Sequence, residues 1–179
     1  LSPAKSLNFK SALPTEIHSE PCFLKEANLL NSILKSKTPA EISELMHISS
    51  SLGELNYDRF QEWSTEPSKG DARQAIYAFS GDVYKGIDSY TIEKDKIDFL
   101  QNNIRILSGH YGLLKPLDLI QPHRLEMGTK MSFKSYKNLY EFWKKQVSLE
   151  LNEQLSENEP VLNLASNEYF KVIDSKVID

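Results

Sequence analysis

The sequence predicts an α/β fold: a small mixed sheet flanked by helices, helix-rich, in a single domain over residues 1–179 with a helical subdomain near residues 23–63. Three observations predict it. Two short apolar runs, 104–107 (IRIL) and 161–164 (VLNL), have the length of buried strands rather than of helices. Longer segments carry apolar residues at three- and four-residue spacing, most clearly Leu139, Phe142, Trp143, Val147, Leu151 and Leu155. Strand-like and helix-like segments alternate, the pattern of α/β proteins. With 179 residues, 40% of them hydrophobic, the chain is long enough for one real core.

The elements follow in order. Residues 1–5 (LSPAK) read as a loop at the carboxyl end of a strand, because Pro3 is barred from a helix interior. Residues 8–21 are polar and irregular, with Pro14 and Pro21. Residues 23–34 are helical, with apolar side chains at 23, 24, 27, 30, 33 and 34. Thr38, Pro39 and Glu41 spell a capping box with proline at the first helical position. That helix buries Ile42, Leu45 and Met46. After a turn at Gly53, Leu52, Leu55, Phe60 and Trp63 mark another short helix, and residues 71–79 a further one. Thr91 can cap a helix running to about Asn102. The strand at 104–107 precedes a long loop, 108–122, dense in Gly and Pro. The clearest helix, 138–155, ends near Glu157–Pro160; the strand at 161–164 follows, and Ser166 caps a last helix holding Tyr169, Phe170 and Ile173. The chain opens on Leu1 and closes on KVIDSKVID, with an apolar pair at Val177 and Ile178. Both ends therefore read as cut.

Bulk properties narrow the function classes. The formal net charge is −4, which excludes a globally basic nucleic-acid binder but not a local basic cleft. Cys22 is the single cysteine, so no intramolecular disulfide forms, and nothing beside it signals the lowered pKa of a reactive thiol. No apolar run approaches the roughly 20 residues of a membrane span and no leader opens the chain; a cytoplasmic protein with no membrane partner is the expectation. His18, His47, His110 and His123 show no ligand spacing. Walker A, GxGxxG, HExxH, paired CxxC and GxSxG motifs are all missing. No metal and no cofactor are expected.

Four stretches remain: LSPAK at 1–5, RQAIYAFSGDVYKG at 73–86, RILSGHYGLLKPLDLIQPHRLEMG at 105–128, and NLASNEYFK at 163–171. In a parallel sheet, loops at the carboxyl ends of strands gather into one crevice. Ser2, Lys5, Ser108, Gly109, Gly112, Ala165 and Ser166 would lie on such loops. Lys5, Arg73, Lys115, Arg124 and Lys171 could line the crevice with positive charge, and Tyr84 and Tyr111 could stack on a base. Asp82, Glu126 and Glu168 could bind a cation or handle protons. Arg124 and Glu126, two apart, share one face of an extended chain, with Leu125 and Met127 facing the core. Internal ion pairs and turn glycines are the alternative reading of the same residues.

The four stretches resemble the signature segments of the YaaA peroxide-stress family, in the same order and at similar spacing over essentially the whole chain. The resemblance implies a cytoplasmic bacterial protein that helps cells survive hydrogen peroxide and keeps unincorporated iron low. It implies binding to DNA, double-stranded or structured, through a positively charged cleft and a helix-hairpin-helix element, with little base readout. It further implies a hydrophobic strand before Leu1 and several elements, one of them basic, beyond Asp179. His123 stands where the family usually carries tyrosine. The helix-hairpin-helix candidate is residues 45–63, with its turn at Leu52-Gly53-Glu54-Leu55-Asn56. Glycine there sits one place earlier than the family pattern. Glu54 puts a carboxylate where backbone N–H groups would receive a phosphate. Two rival functions stand beside DNA binding: an enzyme acting on a nucleobase or nucleotide in the same crevice, with no catalytic residue assignable, and iron sequestration by Asp82, Glu126 and Glu168. Oxygen ligands alone suit iron poorly, which ranks the last reading lowest. No protein partner is legible.

Overall fold

The computed structural model describes residues 1–177, so Ile178 of the terminal apolar pair lies outside the described residues. The fold is mixed α/β with helices in excess. Strands are β1 (Ser6–Leu7), β2 (Arg73–Gln74), β3 (Phe79–Ser80), β4 (Ile106–Ser108), β5 (Gly112–Leu114) and β6 (Leu119–Ile120). Helices are α1 (Leu24–Lys35), α2 (Pro39–Met46), α3 (Ser50–Glu62), α4 (Ala75–Ala78), α5 (Asp82–Ile87), α6 (Ile97–Asn103), α7 (Leu139–Glu153) and α8 (Asn167–Phe170). The strands form three antiparallel pairs, β1 with β3, β2 with β6 and β4 with β5, in place of one mixed sheet. Among the described residues, parallel contacts are confined to single steps. Ser19 bridges Asp118, and Leu1 N–H donates to Arg105 O (2.7 Å) while Leu107 N–H donates to Leu1 O (2.9 Å). No helix among the described residues is long and apolar enough to cross a membrane.

The β4–β5 hairpin organises the interior. Its register pairs Ile106 with Leu114, Leu107 with Leu113 and Ser108 with Gly112, closing on a three-residue loop, Gly109-His110-Tyr111. Side chains alternate across a strand, and here each face feeds a different core. Leu107 and Leu113 join Leu30, Leu34, Ile42, Phe60, Trp143 and Val147. Ile106 and Leu114 join Ala75, Ile76, Tyr77, Ile97, Leu100 and Ile120. Gly112, at φ +71°, stands so close to α7 that a Cβ would meet the Trp143 ring at 2.7 Å. Trp143 Nε1 donates to Gly109 O (2.9 Å) from the same side. Gly109 is equally constrained, since a Cβ there would meet Leu125 O at 2.2 Å.

Local expectations fare unevenly. The Thr38 capping box is present in both halves: Glu41 N–H donates to Thr38 Oγ1 (3.3 Å) and Thr38 N–H to Glu41 Oε2 (2.7 Å). Asn138 caps α7 by accepting from Glu141 N–H (3.0 Å). The turn between α2 and α3 is not at Gly53. It falls at residues 47–49, with His47 left-handed (φ 52°) and Ser49 as N-cap, accepting from Leu52 N–H. Gly53 lies inside α3, where a Cβ would meet Ser43 Oγ at 1.9 Å; the glycine is required by the approach of two helices, not by a turn. Residues 71–79 divide into β2, α4 and β3, because β6 and β1 draw the backbone at each end into ladders. Thr91 ends a 3₁₀ turn, and α6 starts only at Ile97. Residues 161–164 form no strand. Leu162 is 80% exposed and the run lies along an apolar cleft of about 290 Å³ lined by Leu107, Leu151, Leu155 and Ile173; strand propensity without a pairing backbone leaves a coil.

Candidate functional site

Two short ladders and one extended segment build the site. β1–β3 pairing, with Ser6 opposite Ser80, holds the preceding residues 1–5 against the end of β4. The extended segment 123–128 buries Leu125 and Met127 and turns Arg124 and Glu126 outward, the alternation its sequence dictates. There Arg124 Nη2 donates to Glu126 Oε1 at 2.7 Å and Lys5 Nζ approaches Glu126 Oε2 at 3.2 Å. One carboxylate is thus shared by two cations. Arg124 Nε is buried with no partner among the described residues. From α8, Glu168 Oε1 accepts from Gly128 N–H (2.9 Å). Ser166 N–H donates to Ser2 Oγ (2.9 Å), and Tyr84 Oη–H donates to Ser2 O (2.9 Å).

A cavity of about 70 Å³ is lined by Lys5, Ser108, His123, Arg124, Glu126 and Glu168, with Ser2, Tyr84 and Ser166 outside its lining. Glu126 and Glu168 also line a second cavity of about 260 Å³ that reaches Met46, His47 and Lys130. The two cavities thus share lining residues, and only the larger reaches the α2–α3 turn.

His123 adds an acceptor. Its Nδ1 lies 2.8 Å from the Gln121 carbonyl oxygen, which can only accept, so Nδ1 carries the proton and Nε2 keeps its lone pair. Burial pushes its pKa down to about 4, and the nearby Arg59 charge adds to the shift, so the ring is neutral at pH 7. His110 is wholly buried between Phe60, Trp63, Tyr111 and His123. Burial, and then His123, hold it well below the usual histidine range. Neither of its ring nitrogens has a partner among the described residues.

The structure brings together Ser2, Lys5, Ser108, Arg124, Glu126, Ser166 and Glu168, with Tyr84 behind Ser2. Ser2 and Ser166 bond to each other beside the cavity rather than line it, and the other expected residues lie elsewhere. Arg73 is buried elsewhere, donating to Ser11 O (2.7 Å) and Tyr90 Oη (3.0 Å). Lys115 lines a different cleft with Asp118 and Cys22. Tyr111 is buried, its hydroxyl accepting from Trp63 Nε1 (2.8 Å) and Gln121 N–H (3.2 Å). Tyr84 is buried against Phe79, so neither tyrosine has a face free for stacking. Gly109 and Gly112 serve packing. Lys171 lies over the Tyr140 ring (5.3 Å) beside the site, and Asp82 is exposed, paired with Lys85 (3.3 Å). No group of three potential metal ligands exists among the described residues.

The sequence reading missed His123 and Lys130 as lining residues. His123 has the parity of Leu125 and Met127 and so reads as a core position, and it is buried while also lining the cavity. Lys130 begins a run of lysines at 130, 134 and 137, a signal present in the sequence and unused.

The family model described as "Peroxide stress protein YaaA" matches residues 1–179. A UPF0246 protein of Flavobacterium johnsoniae is 54% identical over 178 residues, covering 99% of this chain and 71% of that protein. A UPF0246 protein of Flavobacterium psychrophilum is 52% identical, covering 98% of this chain and 70% of its own length. One from Hahella chejuensis is 47% identical with the same coverage, 98% and 70%.

Proposed function

Since the chain belongs to the YaaA peroxide stress protein family, we propose that it acts in the cytoplasm under peroxide stress, binding double-stranded or structured DNA through the basic groups around the joined cavities and limiting free iron. The observation that supports the DNA reading is the placement of Lys5 and Arg124 in the smaller cavity and of Lys130 in the larger one, which shares Glu126 and Glu168 with it and reaches the α2–α3 turn. In this reading α2 and α3 act as a helix-hairpin-helix. The first turn of α3 has a serine cap and no carboxylate, so its N–H groups and dipole favour a phosphate. Glu54 lies in the following turn of α3. Contacts of this kind carry little sequence information. The test is a salt titration of duplex binding: affinity should fall steeply between 50 and 200 mM salt, as roughly tenfold or more for several phosphate contacts. Affinity that stays level over that range would refute it.

A second reading, an enzyme acting on a nucleobase or nucleotide, is favoured by His123, which lines the smaller cavity with Arg124 and Lys5 and whose Nδ1 bond to Gln121 O leaves Nε2 as the acceptor. The neutral ring can accept a hydrogen bond or a proton, and its pKa near 4 makes it a weak base at pH 7, so this reading ranks second. Turnover of nucleotides or damaged oligonucleotides by the wild type, lost in His123→Phe, would establish it; no turnover by the wild type would remove it.

A further inference from the structure

The chain carries a second cationic element outside the lining of the smaller cavity. Residues 127–140 hold three lysines, Lys130, Lys134 and Lys137, and no aspartate or glutamate. All three are exposed, and none takes part in the five ion pairs among the described residues. The first carboxylate beyond them, Glu141, is turned back to accept from Lys137 N–H (2.8 Å) and from no lysine ammonium.

These lysines sit on a built support. Phe133 and Tyr136 exchange both backbone hydrogen bonds (3.0 and 2.9 Å), which makes a tight hairpin with Lys134 and Ser135 at its tip. Lys134 has φ 49°, a conformation that favours glycine or asparagine. Below the tip, Phe133, Tyr136 and Phe142 pack mutually, with ring centroids 5.1 to 5.6 Å apart. This fixes the hairpin to α7. Thr129 and Met131 are buried, so the alternate residues are anchored while Lys130 faces out. Lys130 lines the larger cavity together with Met46 and His47 at the α2–α3 turn.

We propose that the hairpin 130–137 is a second phosphate-contacting element, which with the α2–α3 turn holds one nucleic-acid duplex backbone from two sides of the larger cavity. The proposal rests on the DNA-binding reading above and deepens it. Lysine is a compact point charge without the planar fork of arginine, so three of them on a rigid tip attract a polyanion and read no sequence. Two carboxylates, Glu126 and Glu168, line the same cavity; Lys5 and Arg124 pair with Glu126 and Gly128 N–H donates to Glu168, so both are engaged within the fold and the hairpin lysines are left to meet a phosphate.

The experiment uses the full chain and a fluorescent 20-bp duplex, with Kd measured by anisotropy from 50 to 200 mM NaCl. Each phosphate contact contributes roughly 0.9 to the slope of log K against log salt. The variant Lys130→Ala/Lys134→Ala/Lys137→Ala should lose about 2 to 3 from that slope. A control with the same charge change elsewhere, Lys69→Ala/Lys94→Ala/Lys96→Ala, should keep the wild-type slope. Lys134→Gly separates charge from fold: glycine accepts the positive φ, so the melting temperature should hold while the slope drops by about 0.9. A salt-dependent wild type whose slope survives in the hairpin variant overturns this proposal alone. A wild type that does not bind duplex overturns the DNA reading and this proposal together.

Discussion

Gly112→Ala is the substitution whose cost follows most directly from the coordinates. Two effects add. At φ +71°, a Cβ-bearing residue pays roughly 1–2 kcal/mol for the left-handed conformation. The new methyl would also stand 2.7 Å from two atoms of the Trp143 ring and 3.1 Å from Phe23 Cδ2. Trp143 is fully buried and held by its bond to Gly109 O, so it cannot swing aside, and overpacking of this kind costs about 1–3 kcal/mol. The sum is about 2–5 kcal/mol, a large part of the roughly 5–15 kcal/mol that stabilises a domain. Urea unfolding followed by tryptophan fluorescence is the assay. With a slope near 2 kcal/mol/M, the midpoint should move down by about 1–2.5 M. Gly86→Ala is the matched control. Nothing lies within 4 Å of its Cβ position in α5, and glycine inside a helix costs about 0.5–1 kcal/mol relative to alanine, so this variant should be slightly more stable than wild type. Gly112→Ala unfolding within about 0.5 kcal/mol of wild type, the range of an inert surface change, would show that the hairpin does not depend on its approach to Trp143.

Three other outcomes are expected. His110→Phe should raise stability by about 1 kcal/mol or more, because an unpartnered buried polar group costs about 1–3 kcal/mol and the site is already aromatic; a midpoint lowered by denaturant titration would mean that the imidazole nitrogens have a partner in solution. Burial pushes the Asp118 carboxyl up to about 6 from 3.8, outweighing its bonds from Ser19 and Lys115, so the folded chain keeps a proton that the unfolded chain releases. Stability contributed by this group is therefore full below about pH 4, declines by at most about 3 kcal/mol as pH rises to about 6, and is level above; the stability difference between wild type and Asp118→Asn, followed across that range, should show this slope, and a pH-independent difference would exclude it. Cys22 is exposed as a residue, yet its Sγ lies 3.5 Å from Leu113 O. Burial, then Glu150 and Asp118, push the thiol up to about 12. It should label with iodoacetamide far more slowly folded than in denaturant, and Cys22→Ser should keep full peroxide protection; rapid native labelling would mark it as a reactive thiol.

Signals confined to one turn of chain were legible in the sequence. The Thr38 box and the α7 stripe depend on neighbours three and four residues away, and the Arg124–Glu126 alternation on neighbours two away. What depended on a distant partner was not. Residues 161–164 have the composition of a strand but pair with no backbone among the described residues, whereas Gly112–Leu114 and Leu119–Ile120, inside a Gly- and Pro-rich loop, found partners and became strands. Gly53 carries a turn signal in sequence, yet its missing side chain makes room for Ser43 on another helix. Arg73 and Arg124 look alike as candidate site cations. Only tertiary placement separates the one buried under Phe9 from the one that meets Lys5 across a carboxylate.

The β4–β5 hairpin serves as a partition common to two interiors. Its four central side chains are divided evenly between them, so softening either interior strips one face of the same ribbon and exposes backbone on the other. Partial opening of one side is thereby penalised on both, and such coupling favours all-or-none loss of structure over local fraying. Ser108, the last residue of that ribbon's first strand, inherits this rigidity, which leaves the smaller cavity with a shape set from two directions at once.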